Sequence, residues 1–357
     1  MKTSQALKVG IIGQGRSGRD IHANHLIHMS DYYQITAVVD LLQERRESAI
    51  QRFGCRAYET YEAMVEQEQL DLVINTSPSH LHFPITLDLL QRGFHVLCEK
   101  PLARLTAEVD LLIEASNKSG KLLAIFQQSR YLPAFVQIRR VIESGVLGRI
   151  IQIDFNNSAF ARRWDWQTLQ SSNGGNLSNV GSHTLDQALQ LFGADMMPQI
   201  HCIMDRVNTF GDAEDYVKLI MRGQGRPTID MEVSSCSAYP DDSFKIQGEL
   251  GGLHGNPQRL EWKYFKPEEA PQQELVSVPL INNQGEPAYC SEDLTWYHHN
   301  WEASAEESRF EYMTQQMYES LYHTLTAGAP LEITPEQIRR QMAVMEECRR
   351  QNPHIYK

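Results

Sequence analysis

A glycine-rich turn near the start of the chain has the residue types that bind a phosphate anion. It follows a short apolar run, residues 7–12, and opens a segment with helical spacing. Gly13 permits a tight turn, Gly15 lets the backbone approach a pyrophosphate, and Gly18 lets the helix pack close to the strand. The free amides at the helix N-terminus then face the anion. The residues predicted to bind a dinucleotide here are Gly13, Gln14, Gly15, Arg16, Ser17 and Gly18.

A carboxylate ends the next apolar run, residues 35–39. Asp40 lies about 20 residues after Gly18, where a carboxylate accepts hydrogen bonds from the adenosine ribose and favours NAD over NADP. Arg45 and Arg46 leave NADP open, because either guanidinium could neutralise a 2′-phosphate, although a solvent-exposed helix face is the simpler interpretation of both. NAD is therefore the predicted cofactor.

A lysine and a histidine have positions that suit proton transfer. Lys100 follows the apolar run 95–98 in the segment Glu99-Lys100-Pro101. Because ligands of doubly wound sheets bind outside the carboxyl ends of the strands, Lys100 is expected at the mouth of the dinucleotide cleft. His183 begins a helix with an apolar stripe that includes Leu185, and it lies on the opposite face of that helix. His183 is therefore expected to face a cleft or solvent.

The first third of the chain supplies the elements that position these side chains. Nearly continuous apolar runs predict buried parallel strands, and apolar residues three and four apart predict the helices between them, each ended by a glycine. This alternation predicts a doubly wound parallel sheet. The predicted strands are residues 7–12, 35–39, 70–74, 95–98 and 122–126, and the predicted helices are residues 41–53, 81–92 and 106–118.

Beyond residue 128 the strands become longer and alternate between apolar and polar residues. The segments 229–234 and 260–264 have this pattern, which predicts an antiparallel sheet with one buried face. We therefore predict an α/β Rossmann domain over residues 1–128 and an α+β domain with a large, mostly antiparallel sheet over residues 129–357. The free face of that sheet favours self-association, so a homo-oligomer, a dimer or tetramer, is expected.

Composition narrows the class of protein. The 357 residues include 33 Lys and Arg against 45 Asp and Glu, a formal net charge of −12. This charge repels polyanions and anionic lipid unless basic residues cluster, and no cluster is present in the sequence. No apolar run approaches the roughly 20 residues of a membrane span, and no signal peptide is recognised. Six scattered cysteines suit reduced thiols. We expect a cytoplasmic protein without a nucleic-acid or membrane partner.

Four segments, in this order and spacing, resemble the glucose-fructose oxidoreductase, inositol dehydrogenase and MocA (Gfo/Idh/MocA) family over essentially the whole chain. The resemblance implies a Rossmann domain, a second domain with a large antiparallel sheet, and a nicotinamide cofactor that oxidises a ring hydroxyl of a sugar or cyclitol or supports the reverse reduction. The matching segments are residues 13–18, 75–82 and 99–101, and residues 173–177 continuing to 181–183 and Asp186.

The resemblance also implies roles for individual residues. Lys100 matches the lysine of the family's Glu-Lys-Pro motif, which contacts the nicotinamide ribose and the substrate hydroxyl, and His183 matches the catalytic histidine. Asp186 ends the last matching segment and is expected to bind substrate. The residues expected to line the cofactor are Thr76, Ser77, Pro78, His82, Glu99, Lys100 and Gln128.

One residue departs from the family pattern. Four residues before the histidine, most dehydrogenases of the family carry an aspartate, whereas this chain has Asn179. A carboxylate there would favour a protonated Lys100, while desolvation and the positive nicotinamide ring disfavour it. With Asn179 as a substrate-orienting residue, Lys100 is the predicted base and His183 orients or relays. A turn or helix cap is the alternative interpretation of Asn179.

Two further segments offer weaker candidates for substrate binding. In a predicted loop, Arg163 could hold hydroxyls or a carboxylate and the Trp166 indole could stack on a sugar ring, but interdomain packing is equally compatible. The aromatic run at residues 296–301 could reach the cleft, and a subunit contact is the preferred interpretation.

Three histidines recur every third residue on the first predicted helix, at His22, His25 and His28. Consecutive members lie about 60° apart around the helix axis, and no cysteine or carboxylate set accompanies them. No metal site is therefore predicted. His22 alone is expected to border the cofactor, because it lies just past the glycine turn.

The predicted function is hydride transfer between a nicotinamide and a ring hydroxyl or ketone of a sugar, glucoside or cyclitol. Two alternatives are left open. The first is a regulator that binds dinucleotide or sugar without turnover. The presence of Lys100 and His183 favours the enzyme over this regulator, whereas Asn179 is compatible with the regulator. The second is a glycosidase or lyase that uses tightly held NAD for a transient oxidation.

Overall fold

Six short strands form the first sheet. The computed structural model describes residues 6–304 and 309–356. The strands are β1 (Leu7–Ile12), β2 (Tyr33–Val39), β3 (Arg56–Tyr58), β4 (Leu72–Asn75), β5 (Val96–Glu99) and β6 (Leu123–Phe126). They pair in the order β3-β2-β1-β4-β5-β6, and every pair is parallel. This is the predicted doubly wound sheet, and its reversal of order between β1 and β4 opens a crevice at the carboxyl ends of these strands.

Helices connect these strands. After β1 the chain winds as a π-helix over Arg16–Ala23, then as a short α1 (Asn24–Leu26) and a 3₁₀ turn, Ile27–Met29. The other helices of this part of the chain are α2 (Gln43–Phe53), α3 (Tyr61–Gln67), α4 (His82–Gln91) and α5 (Thr106–Ser119).

The predicted strands and helices of this domain lie within about two residues of their observed bounds. The sequence pattern predicted neither β3 nor α3. The reason is physical: β3 is three residues long and lies at the sheet edge, where its side chains are half-buried or exposed. Such a strand lacks the continuous apolar run of the central strands, whose Leu72, Val73 and Ile74 have no exposed surface.

The second sheet has eight strands in the described residues, in the order β14-β13-β12-β11-β7-β10-β9-β8. Only β7 and β10 pair in parallel, so the sheet is mostly antiparallel, as predicted. In β10 the alternating Ile229, Met231 and Val233 are buried, which confirms the predicted one-sided pattern. The strands are β7 (Ile150–Ser158), β8 (Gln199–Asp205), β9 (Tyr216–Arg222), β10 (Thr228–Ser234), β11 (Phe244–Gly248), β12 (Gly251–Gly255), β13 (Arg259–Tyr264) and β14 (Tyr297–Glu302).

Within the described residues, five α-helices accompany the second sheet, and the last two return to the first domain. They are α6 (Pro133–Glu143), α7 (Asn176–Asn179), α8 (Gly181–Phe192), α9 (Arg309–Ala327) and α10 (Pro335–Arg350). Tyr318 of α9 stacks edge-on against Tyr33 of β2, and Glu346 of α10 accepts hydrogen bonds from Thr106 at the start of α5. The boundary at residue 128 stays a prediction. None of the helices in residues 6–304 and 309–356 is long and apolar enough to cross a membrane.

Candidate active site

The three glycines of the turn after β1 have different geometries. Gly13 has a φ of +92°, which residues with a side chain rarely adopt. A Cβ on Gly18 would lie 1.8 Å from the Gly13 carbonyl oxygen and 2.5 Å from Thr76 Oγ1, so the helix packs directly on the turn. A Cβ on Gly15 would meet nothing closer than Arg45 Nη1, at 3.8 Å. The backbone at Gly15 therefore borders open space at a helix N-terminus, which suits a phosphate.

A cleft of about 630 Å³ extends from Asp40 past the glycine turn to Lys100 and His183. It brings together most of the predicted site residues from both domains. Those that line it are Gly13, Gly15, Arg16, Ser17, Asp40, Thr76, Ser77, Pro78, His82, Glu99, Lys100, Gln128, Trp166 and His183. Gln14 and Gly18 are buried beneath the turn instead, so they shape the cleft without forming its wall.

Asp40 is held by the backbone around it. One carboxylate oxygen accepts from the amide of Gln14 at 2.7 Å and the other from the amide of Leu42 at 2.9 Å. The guanidinium of Arg45 lies beside it, with Nη1 3.5 Å from Asp40 Oδ2, and is nearly half exposed. This end of the cleft therefore presents a carboxylate and a cation together.

Lys100 follows β5 and reaches across to the second domain. Its Nζ donates to the backbone carbonyl oxygen of Asn179 at 2.7 Å and to the side-chain oxygen of Asn179 at 3.3 Å. Burial lowers the pKa of Lys100, the charges of Arg16 and Arg163 lower it further, and the Glu99 carboxylate opposes them. A neutral amine has two N–H donors and one lone pair. With both donors on Asn179, the lone pair of neutral Lys100 is left for the cleft.

His183 has one ring nitrogen fixed and one free. Its Nδ1 lies 2.7 Å from Gln127 Oε1. The amide nitrogen of Gln127 donates to the carbonyl oxygen of Ser182, so Oε1 is the acceptor and the His183 proton is assigned to Nδ1. Burial, with the charge of Lys100, lowers the pKa of His183 to about 3. His183 is therefore a neutral imidazole at physiological pH, with Nε2 available as an acceptor.

His82 is almost wholly buried and joins two loops of the cleft wall. Its ring nitrogens lie 2.7 Å from the carbonyl oxygen of Pro101 and 2.8 Å from that of Ser77. The ring thereby ties the segment after β4 to the Glu99-Lys100-Pro101 segment after β5. His82 therefore positions these two loops. It also lines the cleft, and the cofactor contact predicted for it stays a prediction.

Asp186 does not line the cleft, which corrects its expected role as a substrate ligand. It is 2% exposed, and its two oxygens accept from Nε and Nη2 of Arg130 at 2.8 and 2.6 Å. A carboxylate buried this deeply needs a charged partner, and Arg130 supplies it. The pair joins α8 to the segment that follows β6.

Arg163 also lies behind the wall of the cleft and not on it. Its guanidinium donates to the carboxylate of Asp165 and to the side chain of Gln167, and those two side chains line the cleft beside Trp166. The aromatic run at residues 296–301 is likewise distant, since it forms β14 at the edge of the second sheet. Arg163 thus positions two side chains of the cleft wall, and its charge also acts on Lys100.

Some residues of the site had no prediction. Gln127 is a polar side chain directly after a parallel strand. This is the signal that identified Lys100, but no role was predicted for Gln127. Phe310 of α9 lines the cleft but has no local sequence signal, because only the return of α9 to the first domain brings it there. His22 does not border the cleft, since it is fully buried behind Glu99. Within the described ranges, no three His, Cys, Asp or Glu side chains are placed to bind a metal.

Comparison with known proteins adds to this geometry. Residues 7–127 match the model of an oxidoreductase family with an NAD-binding Rossmann fold, and residues 135–254 match the GFO/IDH/MocA C-terminal domain. The chain is 30% identical over 252 residues to scyllo-inositol 2-dehydrogenase (NADP(+)) IolW of Bacillus subtilis, which covers 70% of this chain and 66% of that protein. It is also 30% identical over 199 residues to D-glucoside 3-dehydrogenase of Escherichia coli, covering 54% of this chain and 55% of that protein.

A solved structure shares the whole fold. The NAD-binding protein from Listeria innocua superposes with a TM-score of 0.81 at 20% identity, over 98% of each chain. The sequence matches are shorter: they span about two thirds of the inositol dehydrogenase and about half of the glucoside dehydrogenase.

Proposed function

The chain belongs to the Gfo/Idh/MocA family of NAD-binding oxidoreductases, and from this premise we propose that it is a dehydrogenase that oxidises a ring hydroxyl of a sugar, glucoside or cyclitol. The observation that carries the proposal is the Lys100 amine, held in the dinucleotide cleft by two oxygens of Asn179. The names of the inositol and glucoside dehydrogenases similar to this chain support the substrate class.

The cleft residues fit a nicotinamide dinucleotide. The open space at Gly15 would hold the pyrophosphate, and Asp40 and Arg45 would lie beside the adenosine ribose. Among the described residues, the buried Gln128 Oε1 lacks a hydrogen-bond partner, and Gln128 lines the cleft. When bound, the nicotinamide supplies the acceptor for the hydride that leaves the carbinol carbon.

The protein's own residues supply the proton chemistry. Oxidation of a secondary alcohol removes a hydride from carbon and a proton from oxygen, and a ketone is left. Neutral Lys100 accepts the hydroxyl proton on Nζ, and the lowering of its pKa by burial favours that neutral form. His183 Nε2 accepts a hydrogen bond from a hydroxyl and orients the ring. Trp166, on the same wall, offers an indole face for the sugar.

The test is a panel of sugars, glucosides and polyols, followed by the absorbance of the reduced cofactor with NAD and NADP in parallel. Turnover of at least one ring alcohol supports the proposal. Binding of NAD without turnover of any member contradicts it and favours the regulator. Hydrolysis or elimination of a glycoside by the NAD-loaded protein, without net reduction, identifies the glycosidase or lyase.

We also propose a homo-oligomer in the cytoplasm. The face of the second sheet near β13 and β14 carries a row of stacked rings, with Trp262 and Tyr264 each about 5.5 Å from His299. Such an aromatic surface suits a subunit contact. All six cysteines are free thiols, which agrees with a reducing compartment. Size-exclusion chromatography with light scattering tests the assembly, since a monomer at micromolar concentration contradicts it.

A further inference from the structure

Three buried side chains form a chain of hydrogen bonds from the second domain to the cleft. His22 Nδ1 lies 2.5 Å from the hydroxyl of Tyr318 on α9, and His22 Nε2 lies 3.1 Å from Glu99 Oε1. His22 and Tyr318 are fully buried, and Glu99 is 6% exposed. The other oxygen of Glu99 accepts from the backbone amide of Lys100 at 3.1 Å. Both oxygens of the carboxylate are therefore held.

The chemistry of a carboxylate fixes the direction of the hydrogen bond between His22 and Glu99. An ionised carboxylate only accepts, so His22 Nε2 carries a proton and donates to Glu99. In a neutral imidazole, Nδ1 then accepts a hydrogen bond from the Tyr318 hydroxyl. Burial alone raises the pKa of Glu99, but the hydrogen bond from His22 and the charges that His22, Lys100 and His82 carry when protonated together outweigh it and lower the pKa to about 2. The contact with His22 thus favours the ionised form of Glu99.

We propose that His22 is a positioning residue that keeps Glu99 ionised at the reacting end of the cleft, so that the site prefers the positively charged NAD⁺ to neutral NADH. This inference rests on the proposed function. Asp40 marks the ribose end of the cleft, and Glu99 lies at the other end with Lys100 and His183. A fixed carboxylate there stabilises a cationic ring and has no such effect on the reduced, uncharged ring.

The charges around Glu99 come from several elements. Its immediate partner is His22, and the titratable groups that also act on it or feel its charge are Lys100, His82, His183 and Tyr318. Of these, Lys100 is the group whose titration can itself change the preference between NAD⁺ and NADH. Because the Glu99 charge also raises the pKa of Lys100, each variant is compared with the wild type both as it stands and in a Lys100→Met background, where that titration is absent.

The experiment measures the dissociation constants of NAD⁺ and NADH by calorimetry or fluorescence between pH 5.5 and 8.5. Glu99→Gln removes the charge and is expected to lower the ratio Kd(NADH)/Kd(NAD⁺) about tenfold, and to do so equally at all pH values in the Lys100→Met background. His22→Phe removes the donor to Glu99, whose pKa then rises because of burial. Its ratio is expected to equal the wild-type ratio at high pH and to fall toward that of Glu99→Gln as the pH falls.

Tyr33→Phe is a matched control. The Tyr33 hydroxyl donates to the backbone carbonyl oxygen of Tyr318 at 2.7 Å, so its loss disturbs the same aromatic cluster without touching His22. Its ratio is expected to match the wild type at every pH. A pH-dependent fall in Tyr33→Phe equal to that in His22→Phe overturns the proposal, because the effect would then be general loosening.

A spectroscopic measurement on the unmodified protein is independent of whether His22→Phe folds. Nitrogen-detected NMR of His22 is expected to show a protonated Nε2 from pH 5.5 to 8.5, and a bare Nε2 overturns the proposal.

If Glu99→Gln changes the ratio but His22→Phe does not, the role of His22 is wrong while the proposed function stands. If the wild-type protein binds neither NAD⁺ nor NADH, the proposed function itself fails.

Discussion

Lys100 and Asn179 belong to different domains, and the Lys100 Nζ donates to both the backbone and the side-chain oxygen of Asn179, at 2.7 and 3.3 Å. The two oxygens are uncharged, so they orient the amine without the large stabilisation of an ammonium that a carboxylate would provide. An amide at this position thus keeps a hydrogen-bonded partner beside the proposed base without adding a negative charge.

Replacement of Lys100 by methionine is expected to lower kcat/KM by about 10²–10⁴, the usual contribution of a general base. Lys118→Met, on the exposed surface of α5, is the matched control and should retain full activity. Unchanged turnover in Lys100→Met would show that another group accepts the proton.

Asn179→Asp is expected to move the acidic limb of the kcat/KM profile to higher pH. A carboxylate beside Nζ favours the ammonium and so raises the pKa of Lys100, and the base must then be deprotonated at a higher pH. The shift is expected to be about 1–2 pH units. Asn117→Asp, at an exposed position of α5, adds the same charge far from the cleft and should leave the profile in place. A profile that does not move in Asn179→Asp contradicts the assignment of that limb to Lys100.

Two glycine substitutions are expected to separate folding from cofactor binding. Gly18→Ala places a Cβ 1.8 Å from the Gly13 carbonyl oxygen, so it should lower Tm and abolish NAD binding. Gly15→Ala meets no atom closer than 3.8 Å, so it should leave Tm within about 2 °C of wild type. It nevertheless fills the space of the pyrophosphate and should weaken NAD binding at least tenfold. Thermal unfolding and NAD titration test both, and unaltered NAD affinity in Gly15→Ala argues against the phosphate site.

Arg45→Ala is expected to weaken NADP binding about tenfold or more and NAD binding much less, because a 2′-phosphate beside Asp40 needs the guanidinium for neutralisation. Arg52→Ala, on the same helix α2 and exposed, is the control. Titration with the two cofactors gives the comparison. Equal effects on NAD and NADP would show that Arg45 contacts a part that the two cofactors share.

His183 is expected to remain neutral, with the proton on Nδ1, from pH 8 to pH 5. The folded-state pKa of about 3 lies below the ordinary value of 6.5, so the unfolded chain takes up a proton at a higher pH than the folded one. Its contribution to the stability is therefore complete above about pH 6.5 and is lost as the pH falls toward 3. Nitrogen-detected NMR follows the two ring nitrogens. Protonation of Nε2 near pH 6.5 would contradict the buried, Gln127-bound geometry.

Local spacing in the sequence determined much of this protein. The turn at residues 13–18 needs glycines for reasons that lie within the turn, and continuous apolar runs with a polar residue at the end place Asp40 and Lys100 at the carboxyl edge of a parallel sheet. His183 was predicted to face away from its helix's apolar stripe, and the structure places it in the cleft. These features depend on neighbours within one element.

The partners of those residues were decided only by the tertiary structure. Asn179 lies 79 residues from Lys100, Gln127 lies 56 residues from His183, and Tyr318 lies 296 residues from His22. The same holds for Asp186, whose pairing with Arg130 removed it from the substrate site. Periodicity reports which face of an element is apolar, but not which distant element covers that face. The charge state of Lys100, the proposed base, therefore depends on two helices from outside the first sheet: α7, which carries Asn179, and α9, which carries Tyr318.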